Sequence, residues 1–328
     1  MNASVLRVAV IGGGQNCEHE VSIASAAAVA AAIEPSVRKV VSLTIAEDGR
    51  WLDGAGRPLG ATTALSLARA VAVLARCDVV LPIVHGPNGE DGTLAALFEL
   101  ADVSYVGSGV RGGALAMDKW TTKLIADELG IRTAPGVLVT ACDADRIAYD
   151  RPVVVKPVAA GSSMGVTLVR SPKALAPALA KALALDSRAL VEDFVIGREV
   201  DVAVLERADG SRLVGPALEI VTADDDVFDA TTKYDGSADF RLPAKLDDVE
   251  RKEITDAALV LFEALGCRGL ARFDFFMTSV GPVLNEVNTM PGMTAQSQVP
   301  RMFAAAGISY ADLLGDLIQG ALARHRNR

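Results

Sequence analysis

The stretch Val5–Ile11 is apolar apart from Arg7, ends in Gly12-Gly13-Gly14, and gives way to Val21–Ile33, where Ala, Val and Ile recur at helical density. That order predicts a buried strand, a glycine turn and a helix. Val40–Ile45 and Val79–Val84 repeat the buried-strand pattern, with helical segments at Thr63–Leu74 and Thr93–Leu100. Strands alternating with helices imply an α/β fold built on a parallel sheet covered on both faces. At roughly 100–200 residues per domain, the 328 residues leave room for one or two further domains.

The pattern changes after a helix at Asp118–Leu129, which Gly130 terminates. Val153–Lys156 and Gly165–Val169 read as antiparallel strands around a loop of small residues, 157–164, followed by a helix, Pro172–Leu185, and a strand, Ala189–Val195. Strands are expected near Glu199–Leu205 and Leu213–Val221. The polar stretch Thr222–Pro243 lacks the periodicity of a buried element, and a long loop inside a compact protein is usually functional or disordered. A helix, Asp247–Leu265, then precedes a hairpin of Gly269–Met277 and Val283–Val287, turning at Gly281-Pro282, and the chain closes with a helix, Tyr310–Ala323, and a basic tail.

Composition narrows the function. The net charge of −9 disfavours nucleic-acid binding through a broad basic face. No run of about 18 uncharged apolar residues predicts a membrane span, and the first residues lack the basic and apolar regions of an export signal, so a cytoplasmic enzyme is expected. Four cysteines without CxxC spacing read as reduced thiols rather than a zinc or disulfide framework.

The hairpin carries the clearest chemistry. The two-residue period of a strand places Glu286 and Asn288 on one face, and Arg272 with Asp274 on one face of the partner strand. Paired, they would bring two carboxylates, an amide oxygen and a guanidinium together. Such a patch suits Mg²⁺ or a cross-strand salt-bridge cluster, and flanking Leu284 and Val287 favour a buried setting in which the acids need a cation. Lys156, at the end of the apolar strand VVVK, and Lys119, at a helix start, suggest with Gly161-Ser162-Ser163 a phosphate clamp. The spacing matches neither the GxxxxGK[ST] loop nor a dinucleotide fingerprint. Glu18, just before a helix, could meet a substrate ammonium, whereas Glu20 reads as a helix-dipole partner. His85 opens the segment HGPNGEDGT at the carboxyl end of a predicted strand, where open α/β sheets bind ligands, and reads as a hydrogen-bonding or proton-transfer residue.

Taken in order, EHEVS at 18–22, HGPNGEDGT at 85–93, MDK at 117–119, VVKPVAAGSSMGV at 154–166, KY at 233–234, GLARFDF at 269–275 and LNEVNTMPGMTAQS at 284–297 resemble the D-alanine–D-alanine ligases of the ATP-grasp superfamily. The resemblance runs from Val5 to about Leu317. It implies an N-terminal parallel α/β domain at 1–118, a central domain at 119–195 and a C-terminal domain at 196–328, with ATP held between the last two, both α+β.

The resemblance further implies that Lys119 and Lys156 bind the nucleotide phosphates, that Glu192 begins the adenine-binding linker, and that Glu199 meets the ribose. Asp274, Glu286 and Asn288 would hold two Mg²⁺ ions, with Mn²⁺ a substitute. Lys233 would reach the γ-phosphate from a mobile loop. Glu18, Ser162 and Tyr234 would bind the first D-alanine, Ser297 the carboxylate of the second, and Arg272 with the Gly292 N–H would stabilise an oxyanion. A homodimer is implied. Ala160 stands where these ligases commonly carry an acid, and Gln298 where an apolar residue is common, departures compatible with a relative that joins another D-amino acid or a hydroxy acid. Tyr234 favours amide formation over ester formation. A regulatory protein without turnover is disfavoured because Arg272, Asp274, Glu286, Asn288, Lys119 and Lys156 are all present.

Overall fold

The computed structural model describes residues 6–33, 38–221 and 239–326. Lys233 and Tyr234 lie outside the described residues.

The first layer comprises β1 (Leu6–Gly13), α1 (His19–Ile33), β2 (Arg38–Ile45), β3 (Trp51–Asp53), α2 (Thr63–Leu74), β4 (Val79–Pro82), α3 (Thr93–Leu100) and α4 (Val110–Met117). Its sheet runs β3-β2-β1-β4, with β1 parallel to both β2 and β4. Val8, Ala9, Val10 and Ile11 are all buried, so β1 is covered on both faces. The expected parallel sheet gains an antiparallel edge, because β3 pairs antiparallel with β2. Three residues are too few to show a strand period. Gly12 is where helix and sheet come closest: a Cβ there would lie 2.6 Å from that of Ala26 on α1.

After α5 (Lys119–Glu128), a second sheet is formed by β5 (Gly136–Thr140), β6 (Val153–Pro157), β7 (Thr167–Val169) and β8 (Arg188–Asp193), in the order β5-β8-β6-β7 and antiparallel throughout. α6 (Pro172–Leu183) covers it through Leu175, Ala178, Leu179 and Ala182, which join Val139, Val155 and Val169 in a separate core. Sequence periodicity missed β5, whose first residues are exposed.

The third layer contains β9 (Arg198–Glu206), β10 (Arg212–Val214), β11 (Leu218–Val221), β12 (Asp239–Arg241), α7 (Asp248–Leu265), β13 (Leu270–Thr278), β14 (Gly281–Asn288), α8 (Gln298–Ala305) and α9 (Tyr310–Arg326). The strand path is β12-β11-β9-β13-β14, with β10 beside β9. The single strand expected over Leu213–Val221 is two. Pro216 has no N–H to donate, and the ladder is bridged instead by Gly215 N donating to Ala203 O at 2.9 Å. The end of the polar 222–243 stretch is ordered as β12, and Gly281 and Pro282 belong to β14 rather than to the turn. α7 begins with a reciprocal capping box of Asp247 and Glu250 and ends on left-handed Gly266.

The first and third layers share a core. Val8, Val10 and Leu81 join Leu205, Leu270, Phe303 and Leu317 in one cluster. That common core holds the loop after β4 against the segment that follows β14.

Candidate active site

β13 and β14 pair in the register the strand period predicts: Asp274 lies opposite Glu286 and Arg272 opposite Asn288. On the other side of β13, Asp201 of β9 is opposite Asp274, so three carboxylates line up across three strands. Arg272 neutralises the middle of this row. Its Nε and Nη2 donate to the two oxygens of Asp274 at 2.6 Å each, its Nε is 3.6 Å from Asp201, and its Nη1 donates to Gln298 Oε1 at 2.6 Å. Burial works against the guanidinium charge, yet Asp274 and Asp201 hold its pKa well above the ordinary arginine value. Asn288 Nδ2 donates to Asp274 Oδ2 at 3.1 Å.

A β-bulge follows Asp274, leaving Asn285 as the extra residue of β14. Both Asn285 and Glu286 therefore line a cavity of about 620 Å³ between the second and third sheets. Glu286 Oε2 lies 3.2 Å from Lys119 Nζ, which also donates to Ala160 O at 2.8 Å. Lys156 Nζ lies 2.6 Å from Glu192 Oε2 and donates to Asn285 Oδ1 at 3.1 Å. The other oxygen of Glu192 accepts from Lys123 at 2.6 Å. Burial raises the Glu192 pKa, but the two ammonium groups outweigh it and hold the carboxyl below its usual range. Glu199 lines the same cavity, as do Asp193, Phe194 and Val195. The size and the few convergent charges suit a nucleotide-sized ligand.

A second cluster lies where the three layers meet. Glu18 is buried between Gly86 and Gly161, and a Cβ on either glycine would come within 2.4 Å of its Oε2. Ser162 Oγ donates to Glu18 Oε1, whereas Glu18 Oε2 is buried with no hydrogen-bond partner among the described residues. Ser162 and Ser163 hold positive φ angles of 52° and 55°, a conformation unusual for residues with a side chain. Asn16 braces the cluster: its Oδ1 accepts from Glu18 N at 2.8 Å, and its Nδ2 donates to His85 O and Pro87 O at 2.9 and 2.8 Å.

His85 is buried, and both ring nitrogens face protein atoms, Nδ1 at 2.7 Å from Met290 O and Nε2 at 3.0 Å from Ser25 Oγ. Burial lowers its pKa, which favours the neutral ring. Ser297 Oγ accepts from Thr294 N at 3.1 Å and would lie 3.1 Å from a Cβ on Gly292. The expected residues thus fall into two neighbouring groups, with Ser297, Gly292 and Arg272 on the third-layer side. Sequence reasoning missed Asn16, Glu90, Lys123, Asp201 and Asn285. Lys123 had a signal, its i+4 spacing from Lys119 on one helix face.

Among the described residues no three His, Cys, Asp or Glu side chains form a metal cluster. Asp274, Glu286 and Asn288 supply oxygen donors only. That set fits Mg²⁺, which takes one or two carboxylates and completes its shell with phosphate and water.

A parallel-based α/β layer joined to two antiparallel sheets that close on a lysine-lined cavity defines an ATP-grasp enzyme. Residues 7–108 match the family described as D-ala D-ala ligase N-terminus, and residues 139–319 the one described as D-ala D-ala ligase C-terminus. A D-alanine–D-alanine ligase from Corynebacterium urealyticum is 41% identical, covering 97% of this chain and 98% of its own length. Among solved structures, the VanG D-Ala:D-Ser ligase from Enterococcus faecalis superimposes with a TM-score of 0.81 at 33% identity, over 96% of this chain and 99% of that one. The ATP complex of the Bacillus anthracis D-alanine–D-alanine ligase does so with a TM-score of 0.79 at 26% identity, over 98% and 99%. The chain belongs to the D-alanine–D-alanine ligase family.

Proposed function

We propose that this protein joins two D-alanines into D-alanyl-D-alanine at the expense of ATP, through an acyl phosphate, for peptidoglycan precursors. The observation that carries the reading is Glu18 Oε2, a buried carboxylate oxygen without a partner among the described residues, in a cradle of two glycines beside the lysine-lined cavity. Burying such an oxygen is costly unless a cation or donor meets it. The ammonium of the first D-alanine is that donor, and Ser162 fixes the carboxylate that receives it.

Lys119 and Lys156 neutralise the phosphates so that the carboxylate of the first D-alanine can approach the γ-phosphorus. Its oxygen forms the new P–O bond while the bond to ADP breaks. The amine of the second D-alanine then attacks the acyl carbon, the oxyanion is stabilised by Arg272 and the Gly292 N–H, and phosphate departs with the carboxylate-derived oxygen. Ser297 receives the second carboxylate. Glu192 begins the segment that meets adenine, and Glu199 takes the ribose. Asp274, Glu286 and Asn288 would hold two Mg²⁺ ions, or Mn²⁺, whose charge offsets that of the triphosphate when bound. His85 orders the adjoining loop. Outside the described residues, Lys233 would meet the γ-phosphate and Tyr234 would complete the Glu18–Ser162 set.

Gln298 spends its oxygen on Arg272, which supports D-alanine over a second substrate chosen by that amide. The working units are 1–118, 119–195 and 196–328, the working form is a homodimer, and the location is cytoplasmic. No helix among the described residues is long and apolar enough to cross a membrane. A phosphate-release screen over D-amino acids and D-lactate, with mass detection of products, tests the substrate assignment. D-alanine alone should give the dipeptide; a stronger response to a D-alanine and D-lactate mixture, with depsipeptide as the main product, would overturn it.

A further inference from the structure

The backbone of 290–293, which carries Gly292, is held by residues of the first layer at three points. Met290 N donates to Glu90 Oε2 at 3.0 Å, and Met290 O accepts from His85 Nδ1 at 2.7 Å, so both polar groups of one residue's backbone are gripped. Three residues on, Met293 N reaches Ser25 Oγ at 3.4 Å.

In the neutral ring the partners fix the tautomer. A carbonyl can only accept, so His85 carries its proton on Nδ1 and Nε2 accepts the Ser25 hydroxyl. That leaves the Ser25 oxygen to receive the Met293 N–H. Glu90 closes the circuit from the other end, since its Oε1 accepts from Gly86 N at 3.0 Å, in the loop that flanks Glu18. The Gly292 N–H has no acceptor among the described residues.

We propose that Glu90 is a positioning residue which, with His85 and Ser25, clamps the Met290–Met293 backbone so that the Gly292 N–H faces the acyl carbon's oxygen alongside Arg272. A clamp of this kind acts on the second half-reaction, where the oxyanion develops, and leaves the nucleotide cavity untouched. The inference rests on the ligase reading above.

Glu90→Gln tests it, because the amide keeps the shape but offers one acceptor oxygen for two N–H donors. Dipeptide formation should fall about tenfold or more, while the KM for ATP stays within about twofold and the melting temperature falls by about a few degrees at most. Ser25→Ala, a small change in a helix, should show the same split. Phosphate released per dipeptide should rise above the wild-type ratio in both, as uncaptured acyl phosphate meets water. Dipeptide formation within about twofold of the wild type in both variants would overturn the clamp. So would a parallel loss of turnover, ATP affinity and thermal stability, which would make Glu90 merely structural. The wild type is run in the same assay: its failure to make dipeptide would count against the ligase reading itself.

Discussion

Ser162 Oγ donates a hydrogen bond to Glu18 Oε1, joining two residues 144 positions apart in the chain. The loop that follows β6 is thereby tied to the turn that follows β1, and the carboxylate keeps one oxygen free of protein hydrogen bonds among the described residues.

Glu18→Gln removes the charge proposed to meet the substrate ammonium but keeps the side chain's volume. A charge-assisted hydrogen bond contributes roughly 1.5–3 kcal/mol, so the KM for the first D-alanine should rise roughly ten- to a hundredfold. The KM for ATP should change little. Steady-state kinetics with each substrate varied separately checks this, and equal shifts in both constants would contradict it.

Glu192 answers two buried lysines at once, Lys123 and Lys156. Replacing it with Gln leaves buried positive charge uncompensated, at a cost of about 3–5 kcal/mol. Urea unfolding should show a clearly lower midpoint for Glu192→Gln, and an unchanged midpoint would mean that the lysines are solvated.

Glu286 is more open, with one lysine at 3.2 Å. Glu286→Gln should therefore cost less stability than Glu192→Gln, while turnover falls by roughly a hundredfold or more through the lost charge at the triphosphate. Full activity in that variant would reject the metal role of Glu286.

Burial and the negative charge of Glu18 push the Glu90 carboxyl up to about 7, although its two backbone donors and Arg272 pull the other way. Its pKa is thus higher in the folded than in the unfolded chain, where it is near 4.5. Proton uptake on folding favours the native state below that lower value, and this contribution is lost as pH rises through about 7. Buried neutral His85 acts oppositely, losing its contribution as pH falls below the ordinary histidine range. The difference in melting temperature between wild type and Glu90→Gln should shift against the wild type between pH 4.5 and 7. A difference independent of pH would mean that Glu90 titrates normally.

Legibility in the sequence followed periodicity. The Asp274, Glu286 and Asn288 constellation could be read because strand alternation fixes a face, and helices such as Thr63–Leu74 because their apolar spacing is strong. β3 and β5 could not, being short or exposed at one end. Asn285 enters the cavity through a bulge, which breaks the alternation that a sequence argument relies on. Asp201, Asn16 and Glu90 act through partners far along the chain. Their roles depend on the tertiary contacts that bring the first and third layers into one core, and no local pattern encodes those contacts.

The most direct test follows the oxygen. With both carboxylate oxygens of D-alanine labelled by ¹⁸O, attack on the γ-phosphorus followed by displacement by an amine must leave one labelled oxygen on each phosphate released. Mass spectrometry of that phosphate should find a single ¹⁸O, matched in amount to D-alanyl-D-alanine. Dipeptide accompanied by unlabelled phosphate would contradict activation through an acyl phosphate.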